Sequence, residues 1–198
     1  MKRISILIIV GTLVLGLSGT ARATLITFDE YAEGTEITNQ YQAQGVLFSG
    51  AIYSSGSPVI SKDDSPEWGT NTNKLAPQGT SGTGDFAGDL RIQFTTPVTE
   101  FSFESGAWDY PLTGGIYIYD SAGILLTSID PYGDDGGVQT ISYAYAGGIG
   151  SIYFDASSDP AGATIDNLYF VPVPEPSTLL LFGVGLIGVA GLTRRLKK

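Results

Sequence analysis

Between residues 24 and 171, apolar and polar positions alternate in short runs and almost never recur at helical spacing. Leu25-Ile26-Thr27-Phe28 reads as a first strand and Gly45-Val46-Leu47-Phe48-Ser49 as a second. Leu90-Arg91-Ile92-Gln93-Phe94 puts Leu90, Ile92 and Phe94 on one face, because successive side chains of a strand point to opposite sides. Thr95-Thr96-Pro97 breaks that run, and Val98 to Phe103 restarts it with Phe101 and Phe103 on one face. Gly115 to Tyr119 and Ile124 to Ile129 form the clearest hairpin, joined by Asp120-Ser121-Ala122-Gly123. Val138 to Tyr145, Ile149 to Phe154 and Ala163 to Phe170 complete the set. Short strands separated by Gly, Pro, Asn and Asp predict an all-β sandwich or barrel. Residues 54 to 88 are poor in apolar side chains and read as a long loop region, either a binding loop or disordered in part.

The two ends follow a different pattern. Lys2-Arg3, an apolar run from Ile4 to Leu17 and Ala21-Arg22-Ala23 have the layout of a cleaved signal peptide, which makes the chain exported and starts it at Thr24. At the other end Pro172, Pro174 and Pro176 fix φ and remove donors, so Val171 to Pro176 is extended and joins neither a helix nor a central strand. Leu179 to Thr193 is uncharged and would span about 22 Å as a helix, short of a full membrane crossing. Arg194, Arg195, Lys197 and Lys198 form a basic stop that stays cytoplasmic and leaves the rest of the chain outside. The organisation is therefore a signal segment over 1–23, one domain over 24–171 and a C-terminal segment over 172–198, either a plain membrane anchor or a sorting signal.

The formal charge of −10 understates the character of the body. Thr24 to Val173 carries 19 acidic residues against Lys62, Lys74 and Arg91, a net of −16. Such a body is repelled by nucleic acid and by anionic membrane surfaces. With no cysteine and no histidine in the chain, disulfides, thiolate chemistry, Ser-His-Asp hydrolysis and imidazole-based zinc sites are excluded. Gly79 to Gly88 lacks the Lys-Ser/Thr ending of a phosphate loop. Asp130, Asp134 and Asp135 have no closing Glu at EF-hand spacing and read as a solvated turn.

Two constellations remain among the residues of the body. Trp68, Trp108 and Tyr110, with Tyr53 and Tyr132 nearby, fall in or near predicted loops, where flat aromatic faces can stack on sugar rings and Asn71, Asn73 and Asp109 can meet the hydroxyls. Core packing is the competing reading, above all for Trp108. Glu100 and Glu104 share one face of a strand; with Asp109 they are the candidates for a glycosidase carboxylate pair, although nothing sets them apart from an exposed charged face.

Pro174-Glu175-Pro176-Ser177-Thr178, the glycine-rich apolar stretch and the terminal Arg-Arg-Leu-Lys-Lys resemble the PEP-CTERM sorting signal of Gram-negative bacteria. That resemblance implies an exosortase, a membrane transpeptidase, as partner, the inner membrane as a transient or permanent anchor, and a destination at the cell surface or in an extracellular matrix of exopolysaccharide or biofilm. Phe28-Asp29-Glu30, Gly34-Thr35, Ile37 to Tyr41, Phe94-x-x-Pro97-Val98, Tyr119-Asp120-x-x-Gly123 and Ile165-Asp166-Asn167-Leu168 resemble jelly-roll passenger domains similar to galactose-binding-like and carbohydrate-binding modules. The fold so implied is a jelly-roll-like antiparallel β-sandwich between a signal helix and a transmembrane helix. In such jelly rolls the terminal strands run side by side, so Asp29, Glu30 and Asp166 would converge on a calcium ion, with Thr35, Asn39 and Asn167 adding oxygens; the competing reading is strand-end or capping acids in water. The function implied is that of a non-enzymatic surface or matrix protein; the alternative is a carbohydrate-binding module for the cell's own polysaccharide.

Overall fold

A computed structural model describes residues 22–52, 54, 56–62, 73–79, 87–106, 108, 115–131, 137–157 and 162–174. Among them, nine strands form an all-β, antiparallel body within the unit Arg22–Val173. They are β1 (Thr24–Ile26), β2 (Val46–Gly50), β3 (Val59–Ser61), β4 (Lys74–Ala76), β5 (Asp89–Gly106), β6 (Gly115–Asp120), β7 (Leu125–Ile129), β8 (Gln139–Asp155) and β9 (Thr164–Pro172). The one short 3-10 helix among these residues, Gln42–Gln44, is closed by Gly45 in the left-handed region at φ 104°.

Two long strands make the sandwich. The first half of β5 pairs with β2 and with the last third of β8, which in turn pairs with β6 and through it with β7. The second half of β5 pairs with the start of β8 and with β9, which carries β1 and β4. Each long strand thus serves both layers, and the bend lies where the sequence shows its breakers. In β5 the register slips between Gln93 and Val98, across Thr95-Thr96-Pro97, and again between Val98 and Glu100. In β8 the facing irregularity contains Gly148, at φ 93°. The expected break at Pro97 is therefore a bend within one strand, and Val138–Tyr145 and Ile149–Phe154 are likewise one strand. Backbone groups at the corner stay paired: Thr95 donates to the Gly45 carbonyl at 2.9 Å and Val173 to the Pro97 carbonyl at 2.8 Å.

The slip after Val98 also reverses which side chains face inward. Leu90, Ile92, Phe94 and Val98 are buried on even positions, whereas Phe101 and Phe103 are buried on odd ones. Glu100, Ser102 and Glu104 are turned outward as a consequence. The core collects these residues with Phe28, Tyr41, Phe48, Ile116, Ile118, Ile152, Phe154, Leu168 and Phe170. Each such side chain contributes about 1.5–3 kcal/mol by leaving water, which must suffice where no disulfide exists.

The hairpin β6–β7 forms as its sequence predicts. Asp120 Oδ1 accepts from the backbone of Ala122 at 2.9 Å and of Ile124 at 2.8 Å, and Gly123 takes φ 79°. Two expectations need correction. Residues 54–88 are not one continuous loop, since β3 and β4 lie inside them. Both are three residues long and buried throughout, so they carry no alternation to betray them. In addition, β9 runs to Pro172, opposite Val98, so Val171 and Pro172 do belong to a strand. Among the described residues no helix is long and apolar enough to cross a membrane. The signal run, the apolar stretch 179–193 and the basic stop at Arg194, Arg195, Lys197 and Lys198 lie outside the described residues.

Candidate functional site

The outward face of the second layer carries an open groove of about 480 Å³. Glu100 and Ser102 of β5, Ser142 and Ala144 of β8 and Tyr169 of β9 line it. Phe101 and Tyr143 complete the lining, and both belong to or pack against the core. Register brings these residues together from distant parts of the chain: Glu100 lies opposite Ala144, Ser102 opposite both Ser142 and Tyr169. The Tyr169 hydroxyl donates to Glu100 Oε1 at 3.3 Å. Partial loss of water, then the Glu100 charge and hydrogen bond, push that phenol above its ordinary range.

Further along the same face, Glu104 accepts from Asn167 Nδ2 at 2.9 Å. Asn167 is placed by a register slip in β9 between the pairs Ser102–Tyr169 and Glu104–Asp166. It takes φ 51°, a left-handed conformation in which Asn is tolerated better than most residues. This bulge lets Asn167 and Tyr169 both reach β5 carboxylates while Leu168 stays in the core. The groove therefore offers a ring, two serine hydroxyls and the Glu100 carboxylate, with Glu104 further along the same face, and each glutamate is held by a partner on β9. That combination suits hydrogen bonding to a polyhydroxylated ligand lying along the strands.

Other candidates fare differently. Trp108 is only 2% exposed. Its ring packs 5.0 Å from that of Phe154, and Nε1 donates to Ser105 Oγ at 2.7 Å. It is a core residue with no face for a ligand, which corrects its assignment to a binding platform. Trp68 and Tyr110 lie outside the described residues.

The calcium trio, Asp29, Glu30 and Asp166, is not found as a group of ligands. Among the described residues no group of three or more carboxylates is placed to hold a metal ion. The β1–β9 ladder ends at Ile26–Leu168, and Phe28, at φ 60°, then turns into the core against Tyr41 and Phe48. Asp29 accepts from the Asn73 backbone at 3.2 Å and Glu30 from the Tyr41 hydroxyl at 2.9 Å, while Asp166 accepts from the Asn167 backbone at 2.7 Å. Burial first, then Glu30, drive the Tyr41 phenol far above its ordinary range.

Glu100 and Glu104 do share one face, as their spacing predicts. Four residues of strand set their Cα atoms about 13 Å apart and each carboxylate is held by its own partner, Tyr169 or Asn167, while Asp109 lies outside the described residues. Tyr169, Ser142 and Asn167 carry no local signal that marks them as groove residues, because only strand register brings them to β5. Of the sorting motif, Pro174 is exposed, and Glu175 and Pro176 lie outside the described residues.

The sandwich is of a known kind. The K2 cleaved adhesin domain of Lys-gingipain superposes with a TM-score of 0.50 at 11% identity, covering 75% of this chain and 99% of that one. A family 29 carbohydrate-binding module from Piromyces equi gives 0.41 at 11% identity, over 78% of this chain and 92% of that one. Another family 29 carbohydrate-binding module gives 0.37 at 14% identity, over 76% and 89%. No curated protein matches the chain. Residues 172–195 match the PEP-CTERM protein-sorting motif. The chain is thus an all-β sandwich carrying a PEP-CTERM sorting signal, the mark of an exported protein handled by an exosortase.

Proposed function

We propose that this is a non-catalytic binding protein of the cell surface or extracellular matrix of a Gram-negative bacterium, and that its sandwich holds a polysaccharide along the groove of β5, β8 and β9. What supports the binding role is one observation: an open groove in which Tyr169, Glu100, Ser102 and Ser142 are held on a rigid sheet, away from the buried tryptophan. Sites built on strands hold their geometry better than loops do. The sorting signal accounts for delivery, since exosortase handling at the inner membrane leaves the body outside the cytoplasm. A place in an exopolysaccharide or biofilm matrix belongs to the same proposal.

Titration of the full chain, in mild detergent, against a panel of neutral, acidic and amino polysaccharides tests it. Binding to at least one, weakened about tenfold or more by Tyr169→Ala with melting unchanged, is the expected result; stacking on an aromatic ring and its hydrogen bond justify that magnitude. A blank panel for the parent chain, or binding indifferent to Tyr169→Ala, would overturn it.

A further inference from the structure

We infer that the polysaccharide taken by this groove carries free amino groups. The inference rests on the groove being the binding site and adds the charge of its ligand. Glu100 lines the groove and Glu104 continues the same face. Each is oriented by one neighbour: Tyr169 holds Oε1 of Glu100 and Asn167 holds Oε2 of Glu104. Among the described residues, the second oxygen of each makes no hydrogen bond, so both carboxylates are pre-positioned and half satisfied.

Among the described residues no lysine or arginine lines the groove. Of the three basic residues in the body, Lys74 is buried in β4 with β9 between it and Glu104, Lys62 follows β3 at the far edge of the sheet, and Arg91 lies on the first half of β5, beyond the Thr95–Pro97 bend. The surrounding body is at −16 and repels an acidic polymer before contact. A neutral sugar can donate hydroxyls to a carboxylate, but an ammonium group forms the shorter, roughly twice as strong charge-assisted bond. It also relieves the like charge that the acidic body imposes on both glutamates. An amino sugar meets all three conditions: a ring face for Tyr169, hydroxyls for Ser102 and Ser142, and ammonium groups for the two glutamates.

The test titrates the full chain, in mild detergent at physiological salt, with glucosamine oligomers, their fully N-acetylated counterparts, neutral β-glucan oligomers and oligolysine. The expected result is binding of glucosamine oligomers about tenfold or more tighter than of the acetylated ones, in line with one or two charge-assisted contacts. The pair Glu100→Gln and Glu104→Gln abolishes that preference. The pair Glu33→Gln and Glu36→Gln, which removes the same charge beside β3, leaves it intact. Acetylated or neutral oligomers binding as tightly as glucosamine overturns the inference and leaves the groove standing. Failure of all three sugars overturns the inference, and a blank polysaccharide panel as well overturns the groove. Oligolysine binding as tightly as the amino sugar, with both variant pairs equally impaired, overturns the inference in favour of general attraction to polycations. Melting curves of both pairs confirm that the fold is kept.

Discussion

The two ends of β5 each present carboxylates to neighbouring strands, and they use them in opposite ways. At its start Asp89 is fully buried. It accepts from the backbone of Ala51 at 3.1 Å and of Ile52 at 2.7 Å, from Ser54 Oγ at 2.8 Å and from the Tyr153 hydroxyl at 2.6 Å. Ser54 Oγ also donates to the Asp89 carbonyl. In the second half of the strand, Glu100 and Glu104 each accept one bond, Glu100 exposed and Glu104 half-buried. A buried carboxylate surrounded by donors ties a loop to a strand and has nothing left for a ligand. A surface carboxylate steadied by one donor keeps an oxygen for something else. How many donors each acid already has separates framework from site better than the presence of acids does.

The framework side of that contrast should show the larger energies. Trp108→Ala removes the largest fully buried side chain among the described residues and orphans a hydrogen bond, so a loss of about 3–5 kcal/mol is expected, a fall of roughly 10 °C in Tm. Glycan binding by the protein that remains folded should be unchanged; a selective loss of binding without a fall in Tm would move Trp108 back to the site. Asp89→Ala strands two backbone donors and the Tyr153 hydroxyl and should cost about 2–4 kcal/mol in denaturant or thermal unfolding. Near-neutrality there would break the comparison, because Asp89 would then be no more structural than Glu100.

Much of this framework is legible in the sequence. Alternation in Leu90–Phe94, the Asp120–Gly123 turn and the outward pair Glu100 and Glu104 are local signals, set by period two and by turn chemistry, and each holds. The tail is read for the same reason, since P-E-P, an apolar run and a basic end are contiguous. What escapes is whatever depends on register. Val59–Ser61 and Lys74–Ala76 are buried on both faces and show no period. The strands that lead to Asp29, Glu30 and Asp166 do pair, as the jelly-roll pattern implies, yet the three acids accept from different partners, Asn73, Tyr41 and Asn167. Tyr169 reaches Glu100 across 69 residues of sequence, a juxtaposition no local pattern encodes.

Tyr41 tests the framework through pH. Its hydroxyl is buried against Glu30, so the folded state holds the proton to a higher pH than the unfolded chain, where it leaves near 10.0. The stability from this group is fully present below pH 10 and is lost as pH rises above it, since the unfolded state then releases a proton the folded state retains. Tyr41→Phe should cost about 1 kcal/mol at neutral pH and flatten the alkaline fall in Tm; an unchanged alkaline slope would show that other groups set it.

The smallest effect is the most telling for the groove. Asn167 holds a left-handed backbone and one hydrogen bond to Glu104, and the two can be separated. Asn167→Ala loses the bond and keeps a Cβ at positive φ, so it should destabilise by about 1–2 kcal/mol. Asn167→Gly loses the same bond but relieves the backbone, and these terms are each about 0.5–1.5 kcal/mol and opposite in sign, leaving Tm nearly unchanged. The glycine variant therefore frees Glu104 without loosening the bulge. If Asn167 is there to orient a ligand-binding carboxylate, the glycine variant should bind the preferred sugar a few-fold more weakly at constant stability. If instead binding is untouched while the alanine variant melts early, Asn167 serves only the turn of β9, and the line between framework and site must be drawn on the other side of Glu104.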